Sequence, residues 1–217
     1  MAKGKVGIIG SGAVARALGA GFLKHGREVM LGTRDPGKLA DWQAKDAPAV
    51  RVGGFDAAAR FGDLVVLAVK GTAAAAALQA AGPANLKGKT VLDATNPIAD
   101  EPPVNGVLRY FTGPNESLLE RLQKAAPQAR WVKAFSCIGS PFMVDPEFPG
   151  GRPTMFICGD SAEAKLEAAA VLEEFGFDVA DMGAVEAARA IEPLAMLWCI
   201  PGFRENRWAH AFKLLRQ

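Results

Sequence analysis

Lys5-Val6-Gly7-Ile8-Ile9-Gly10-Ser11-Gly12-Ala13-Val14-Ala15 is the stretch that decides the fold. A short segment that reads as a strand buried on both faces runs into the pattern G-x-G-x-x-G/A. Ala13 to His25 then follows as a helix closed by Gly26. The glycine pattern alone is weak, and its meaning comes from standing between a strand and a helix. Gly10 permits the tight turn, Gly12 lets the backbone approach a pyrophosphate, and Ala15 lets the helix pack close to the strand. The helix N-terminus offers free N–H groups and the positive end of its dipole to phosphates. Gly10, Ser11, Gly12, Ala13 and Val14 are therefore candidate dinucleotide-binding residues.

Outward from this unit the same alternation repeats. Glu28 to Leu31 is a second strand, and Pro36 opens a helical segment through Ala44. Val50 to Val52 is a brief third strand, followed by a short helix from Phe55 to Arg60. Asp63 to Val69 is the strongest strand signal in the chain. The alanine-rich stretch from Thr72 to Ala81 reads as a helix, because alanine has the best intrinsic propensity. Thr90 to Ala94 and Arg130 to Phe135 are strands five and six, with a helix from Glu116 to Ala126 between them. Strands alternating with helices predict βαβ units with right-handed crossovers. The expected fold class is α/β, a Rossmann doubly wound parallel sheet.

Past Phe135 the texture changes. Gly139 to Pro153 is rich in Pro and Gly and reads as a long loop over the sheet edge. Beyond it come a strand at Thr154 to Cys158, a helix at Ala162 to Phe175 and a short strand at Asp178 to Ala180. Helices at Ala187 to Trp198 and Asn206 to Leu215 close the chain. Residues 1–217 are expected to form a single domain, with 139–217 as a small C-terminal α/β extension that completes an acceptor site or a dimer contact.

The end of the second strand discriminates between nicotinamide cofactors. An NAD site usually places Asp or Glu there for the ribose 2′-OH. This sequence reads Leu31-Gly32-Thr33-Arg34-Asp35, with Lys38 close behind. Arg34 and Lys38 can pair with a 2′-phosphate and Thr33 can donate a hydroxyl, which predicts NADP(H). The competing reading makes Arg34 and Lys38 surface charges paired with Asp35 or Asp41. Ligands in such folds sit at the carboxyl ends of the strands, so Val69-Lys70-Gly71 and Thr95-Asn96-Pro97 should flank the groove. Asn96 is either a partner of ribose or carboxamide, or a turn cap before Pro97.

Composition excludes other classes. Of 217 residues, 50% are apolar and 22% charged, which supports a packed core and excludes a disordered chain. Lys and Arg number 25 against 23 Asp and Glu, with no basic run, so a nucleic-acid partner is not expected. Cys137, Cys158 and Cys199 lack CxxC spacing, and His25 and His210 have no neighbouring Cys or His. No disulfide framework and no metal site are expected. Met1 to Lys5 runs straight into the first strand, so no signal peptide is read. Ala184 to Ile200 carries Glu186, Arg189 and Glu192 and is too short and charged to span a bilayer. Free thiols suit a reducing cytoplasm.

At these residues the chain resembles the NADPH-dependent deazaflavin (coenzyme F-420) oxidoreductase family, also seen as the cytosolic domain of six-transmembrane metalloreductases. The resemblance rests on Val6 to Ala15, Gly32-Thr33-Arg34, Ala94 to Pro97, Val132-Lys133-Ala134-Phe135, Pro153 to Asp160 and Glu192 to Met196. It implies hydride transfer between NADPH and a deazaflavin. By residue match it implies NADP binding by Gly10, Ser11, Gly12, Ala13, Val14, Thr33, Arg34 and Lys38, with Val69, Lys70, Asn96 and Ala134 lining the groove. Family members often carry Asn after Lys-Ala-Phe, where this chain has Ser136.

No catalytic acid or base is expected, since hydride transfer between two ring cofactors needs alignment more than proton transfer. Phe135, Ser136, Cys137, Ile138 and Gly139, with Met196, Trp198 and Phe203, are candidates for the acceptor pocket. The last three equally suit core or a homodimer interface. Two other functions fit the residues: an NADP(H)-holding redox sensor, and an NADPH-dependent reductase of a small carbonyl or imine. Enzymes of the latter kind usually add a long helical C-terminal domain, for which residues 151–217 are too few.

Overall fold

The computed structural model describes residues 4–217, so Met1 to Lys3 of the N-terminal stretch lie outside the described residues. Six strands form the main sheet: β1 (Lys5–Ile9), β2 (Glu28–Gly32), β3 (Arg51–Gly53), β4 (Leu64–Leu67), β5 (Thr90–Asp93) and β6 (Arg130–Lys133). They pair in the order β3-β2-β1-β4-β5-β6, and every pairing is parallel. The order turns back between β1 and β4, and a crevice opens there at the carboxyl ends of the strands.

The central strands are apolar on both faces because both are covered. Ile8, Val66, Leu92 and Val132 join one core cluster with Leu18 and Phe22 of α1 (Ala13–Lys24) and Val171 of α6 (Ala162–Glu174). Their neighbours Ile9, Val65, Leu67, Val91 and Trp131 join the other. There they meet Leu78 of α4 (Ala74–Ala81) and Leu122 of α5 (Leu118–Ala125). A period of two along each strand thus divides residues between two fully buried faces, and no polar stripe marks the pattern. The remaining helices of this half, α2 (Ala40–Asp46) and α3 (Phe55–Phe61), flank β3 in sequence.

β4, β5 and β6 are shorter than expected, because the groove-side residues at their ends leave the ladder to form loops. Of the expected alanine helix, Gly71–Ala73 is a 3-10 turn and only Ala74–Ala81 is α-helical. α5 starts two residues later than expected, where Ser117 and Glu120 form a reciprocal capping box. The 139–153 loop docks on α1 more than over the sheet edge, with Val144 against Gly21 and Asp145 bonded to Lys24 and His25.

β7 (Thr154–Ile157) and β8 (Asp178–Asp181) pair only with each other, as a small parallel sheet whose crossover is α6. A hydrogen bond of 2.9 Å from Lys133 N–H to the Cys158 carbonyl ties it to β6.

The chain end departs from expectation. A single helix α7 (Ala188–Glu205) continues through Pro193 and Pro201, and Asn206 ends it in the left-handed region at φ 53°. The helix expected at 206–215 does not form. Its backbone is drawn instead to β7: Thr154 N–H donates to the Phe212 carbonyl, and Leu214 N–H donates to Thr154 Oγ1. Aromatic packing fixes this return. The Trp208 ring lies on Gly202, where a Cβ would stand 2.2 Å from it. The Trp198 indole donates to the His210 carbonyl, and His210 Nε2–H donates back to the Trp198 carbonyl, each at 2.9 Å. Among the described residues, no helix is long and apolar enough to cross a membrane.

Candidate functional site

A groove of about 290 Å³ lies over the carboxyl ends of β1, β2 and β4. Its floor is the glycine turn. Gly10 has φ +148°, and a Cβ there would stand 2.2 Å from the Ala68 carbonyl oxygen, so only glycine fits between β1 and β4. Gly12 is the N-cap of α1 and has no side-chain capping bond. A Cβ on Gly12 would meet no protein atom within 4 Å. The first turn of α1 therefore points uncapped N–H groups into open space, as an anion site requires.

One rim carries the charge. Thr33 is buried beside Ser11, with the two hydroxyl oxygens 3.2 Å apart, and Thr33 Oγ1 accepts from Asp35 N–H. The Asp35 carboxylate caps the 3-10 turn Pro36–Leu39, where Oδ1 accepts from Gly37 N–H at 3.1 Å, and Asp35 also lines the groove. One of its oxygens is thereby used locally, beside two cations that have no such partner. Arg34 and Lys38 line the groove and are exposed, and neither forms an ion pair among the described residues. The alternative pairing with Asp35 or Asp41 does not occur. Two unpaired cations beside free helix N–H groups fit a dinucleotide that carries an extra phosphate.

Eight of the residues singled out from sequence meet in this groove: Gly10, Ser11, Gly12, Thr33, Arg34, Lys38, Val69 and Lys70. Lys70 also pairs with Asp100. Phe55 and one face of the alanine segment, Ala73, Ala76, Ala77 and Ala80, form a wall that sequence reasoning left out. The signal was available: spacing of three, one and three residues places small side chains on one helix face. Ala13 and Val14 stand on the first turn of α1, at the groove's edge.

The inner end, beyond β5 and β6, has a different character. Ala134, Phe135, Ser136 and Cys137 are all buried. Phe135 adopts φ 58°, and its ring packs on Phe175 and Phe177 at centroid distances of 6.3 Å. That ring faces the core and offers no stacking surface to an acceptor. Burial pushes the Cys137 thiol up to about 12 and the Cys199 thiol to about 11, so both stay protonated at neutral pH. Trp198 is buried against Gly139 and the tail, Phe203 is exposed, and Met196 lines a separate cavity of about 150 Å³ with Tyr110 and Pro193. Asn96 does not cap its own turn. Its amide donates to the Ser136 carbonyl at 2.9 Å, and Ser136 Oγ donates to Asn96 Oδ1 at 2.6 Å.

Beneath this pair is an ionic network whose role sequence reading missed. Lys133 Nζ donates to Asp93 Oδ2 and to the Thr95 carbonyl, both at 2.7 Å, and lies 2.9 Å from Glu192 Oε1 on α7. The Glu192 carboxylate accepts from Leu118 and Leu119 N–H, both at 3.0 Å, and so caps α5 from another helix. Asp93 Oδ1 accepts from Thr95 N–H and Oγ1–H. Burial alone would lower the Lys133 pKa, but attraction by Asp93 and Glu192 outweighs it and the pKa is raised. Lys133 therefore stays charged and is a structural cation. Among the described residues no cluster of His, Cys, Asp or Glu could hold a metal ion.

Comparison with known proteins agrees with this geometry. The family model described as "NADP oxidoreductase coenzyme F420-dependent" matches residues 5–97. A solved structure from Arthrobacter sp. FB24, provisionally described as an F420-dependent NADP-reductase, is 32% identical with a TM-score of 0.91, covering 98% of this chain and 100% of the other. Metalloreductase STEAP3 of Rattus norvegicus is 30% identical over 201 residues. The match takes in 91% of this chain but spans only 38% of that curated relative's length. An imine reductase of Streptomyces aurantiacus, at 18% identity, covers 92% of this chain and 62% of its own with a TM-score of 0.67, and shares the fold alone.

Proposed function

This chain belongs to the coenzyme F420-dependent NADP oxidoreductase family, and from that premise we propose that it passes a hydride between NADP(H) and a deazaflavin (coenzyme F-420) or flavin-like acceptor. NADPH supplies the hydride when bound. The nicotinamide loses two electrons and one proton, and the acceptor ring takes them together with one proton from solvent.

The observation that carries the reading is the unpaired Arg34–Lys38 rim facing the uncapped start of α1 across one groove. In this reading the first turn of α1 holds the pyrophosphate, and Arg34, Lys38 and the Thr33 hydroxyl hold the 2′-phosphate. Val69 and Lys70 belong to the groove wall, Asn96 continues it toward the nicotinamide, and Ala134, fully buried, supports it from beneath.

The acceptor class is favoured by what lines the groove. Among the described residues no Tyr, His or Cys does so, and Lys70, which does, is paired with Asp100. The Tyr110 hydroxyl is held on the Glu192 carbonyl at 2.8 Å, and burial raises its pKa. A carbonyl or imine reductase needs a proton donor beside the reacting carbon, whereas exchange between two ring cofactors needs alignment. The raised thiols leave Cys137 and Cys199 without a thiolate to share in the transfer, and turnover is what separates this reading from an NADP(H)-holding redox sensor.

Leu197 and Phe203 of α7 are exposed, as are Val104 and Val107 of a hairpin that touches α7 where Gly106 meets Arg204. That apolar patch supports a homodimer, and the free thiols support a reducing, cytoplasmic setting. The test is anaerobic oxidation of NADPH with oxidised deazaflavin, FMN or FAD. Turnover with deazaflavin or a flavin is expected; tight NADPH binding with no turnover on any of them would overturn the assignment.

A further inference from the structure

The reciprocal bonds between Asn96 and Ser136 settle which way the Asn96 amide faces. The Ser136 backbone carbonyl can only accept, so the group 2.9 Å from it must be Nδ2. Oδ1 then faces Ser136 Oγ at 2.6 Å, and the hydroxyl must donate to it. One amide N–H is used by these bonds and the other is left over. Ser136 is 3% exposed, whereas Asn96 is half-buried, so the pair meets solvent through Asn96.

The backbone under Asn96 is also held. Its own carbonyl accepts from Ile98 N–H at 2.8 Å, and the Thr95 carbonyl accepts from the buried Lys133 at 2.7 Å. Asn96 thus stands at the carboxyl end of β5 with its backbone, its amide plane and its flip all determined before any ligand arrives.

We propose that Ser136 is a positioning residue, which fixes Asn96 as a single preset N–H donor for an oxygen on the nicotinamide riboside half of NADP(H). That oxygen is either the carboxamide carbonyl or a ribose hydroxyl. The assignment rests on the NADP(H) reading and deepens it. It also moves Ser136 from contact with the acceptor to support of the cofactor contact. A preset donor gains affinity because no rotamer must be frozen on binding.

Three probes are titrated on the full chain: NADPH, 2′-phospho-ADP-ribose, which keeps the ribose but lacks the nicotinamide, and 2′,5′-ADP, which lacks the whole half. Asn96→Asp removes the amide N–H, and Ser136→Ala removes the bond that holds the amide. Each is expected to weaken NADPH roughly five- to tenfold, as loss of one hydrogen bond does, and to leave 2′,5′-ADP unchanged. Ser136→Thr keeps the hydroxyl and is expected to restore NADPH affinity. A loss shared by 2′-phospho-ADP-ribose assigns the ribose oxygen, and a loss confined to NADPH assigns the carboxamide. Equal losses for 2′,5′-ADP, or unchanged NADPH affinity in both variants, overturn the proposal while leaving the cofactor reading intact. Absence of NADPH binding by the unaltered protein overturns both.

Discussion

Lys133 Nζ and Glu192 Oε1 lie 2.9 Å apart with both side chains withdrawn from solvent, and this contact joins the last strand of the main sheet to the last helix. Asp93 completes the set, so a single cation answers two carboxylates, and the N–H groups of Leu118 and Leu119 take up the surplus negative charge. Lys133→Met is expected to destabilise the protein by about 3–5 kcal/mol, because it leaves two buried carboxylates without their cation. Urea unfolding checks it. A loss below about 1 kcal/mol would mean that water reaches the network.

The Arg34 rim yields a prediction about selectivity. Arg34 has no partner to lose among the described residues, so Arg34→Ala should leave stability within about 0.5 kcal/mol. NADPH affinity should fall at least about tenfold, the value of one charge-assisted bond, while NADH affinity stays nearly the same. Titration of both nucleotides checks it. Equal losses would show that Arg34 serves the fold or the pyrophosphate and not a 2′-phosphate.

Much of this was legible in sequence, for identifiable reasons. β1, the glycine turn and α1 follow one another without a gap, so hydrophobic run, turn chemistry and helix period all agree. The carboxylate cap of Asp35 was less visible, but Thr33-Arg34 stood at the place where the cofactor is discriminated. Three features could not be read. Lys133 and Glu192 are 59 positions apart in the numbering, and each looks like an ordinary charged residue until the fold buries them together. The tail failed for a related reason. Asn206 to Leu215 has enough apolar residues for a helix, but its partners are Trp198, Gly202 and Thr154, contacts that local propensity does not contain. Phe135 was legible as apolar, but its positive φ, which turns the ring into the core, was not.

Acid should expose the contact between α5 and α7. Bonding to Arg189 holds the Glu120 carboxyl at about 2, against an ordinary value of 4.5. A carboxyl lowered in the folded state binds its proton more readily when unfolded. Its contribution is therefore complete above about pH 4.5 and is lost as pH falls toward 2. Arg189 is more than a third exposed, so screening leaves a contribution on the order of 1 kcal/mol. In urea unfolding from pH 6 to pH 2, Glu120→Gln should be less stable at neutral pH and should show a shallower decline in acid. Parallel curves for the two proteins would assign the acid sensitivity to other carboxylates.

Gly12 separates binding from folding more cleanly than Gly10 does. A side chain at Gly10 would collide with Ala68, so a variant there tests the fold and the site together. At Gly12 the space is open, and the backbone, at φ −75° and ψ −174°, is one that any L-residue adopts. Gly12→Val should therefore fold with a melting temperature close to that of the parent, a small cost arising from the helix N-cap, where glycine is preferred over valine. Its isopropyl group would fill the volume in front of the α1 N–H groups, where a pyrophosphate must approach. Binding of NADPH and of 2′,5′-ADP should then be unequal in loss: severe for NADPH, whose pyrophosphate crosses that point, and smaller for 2′,5′-ADP, whose single 5′-phosphate can shift outward. Full retention of NADPH affinity in a folded Gly12→Val protein would place the dinucleotide away from the start of α1.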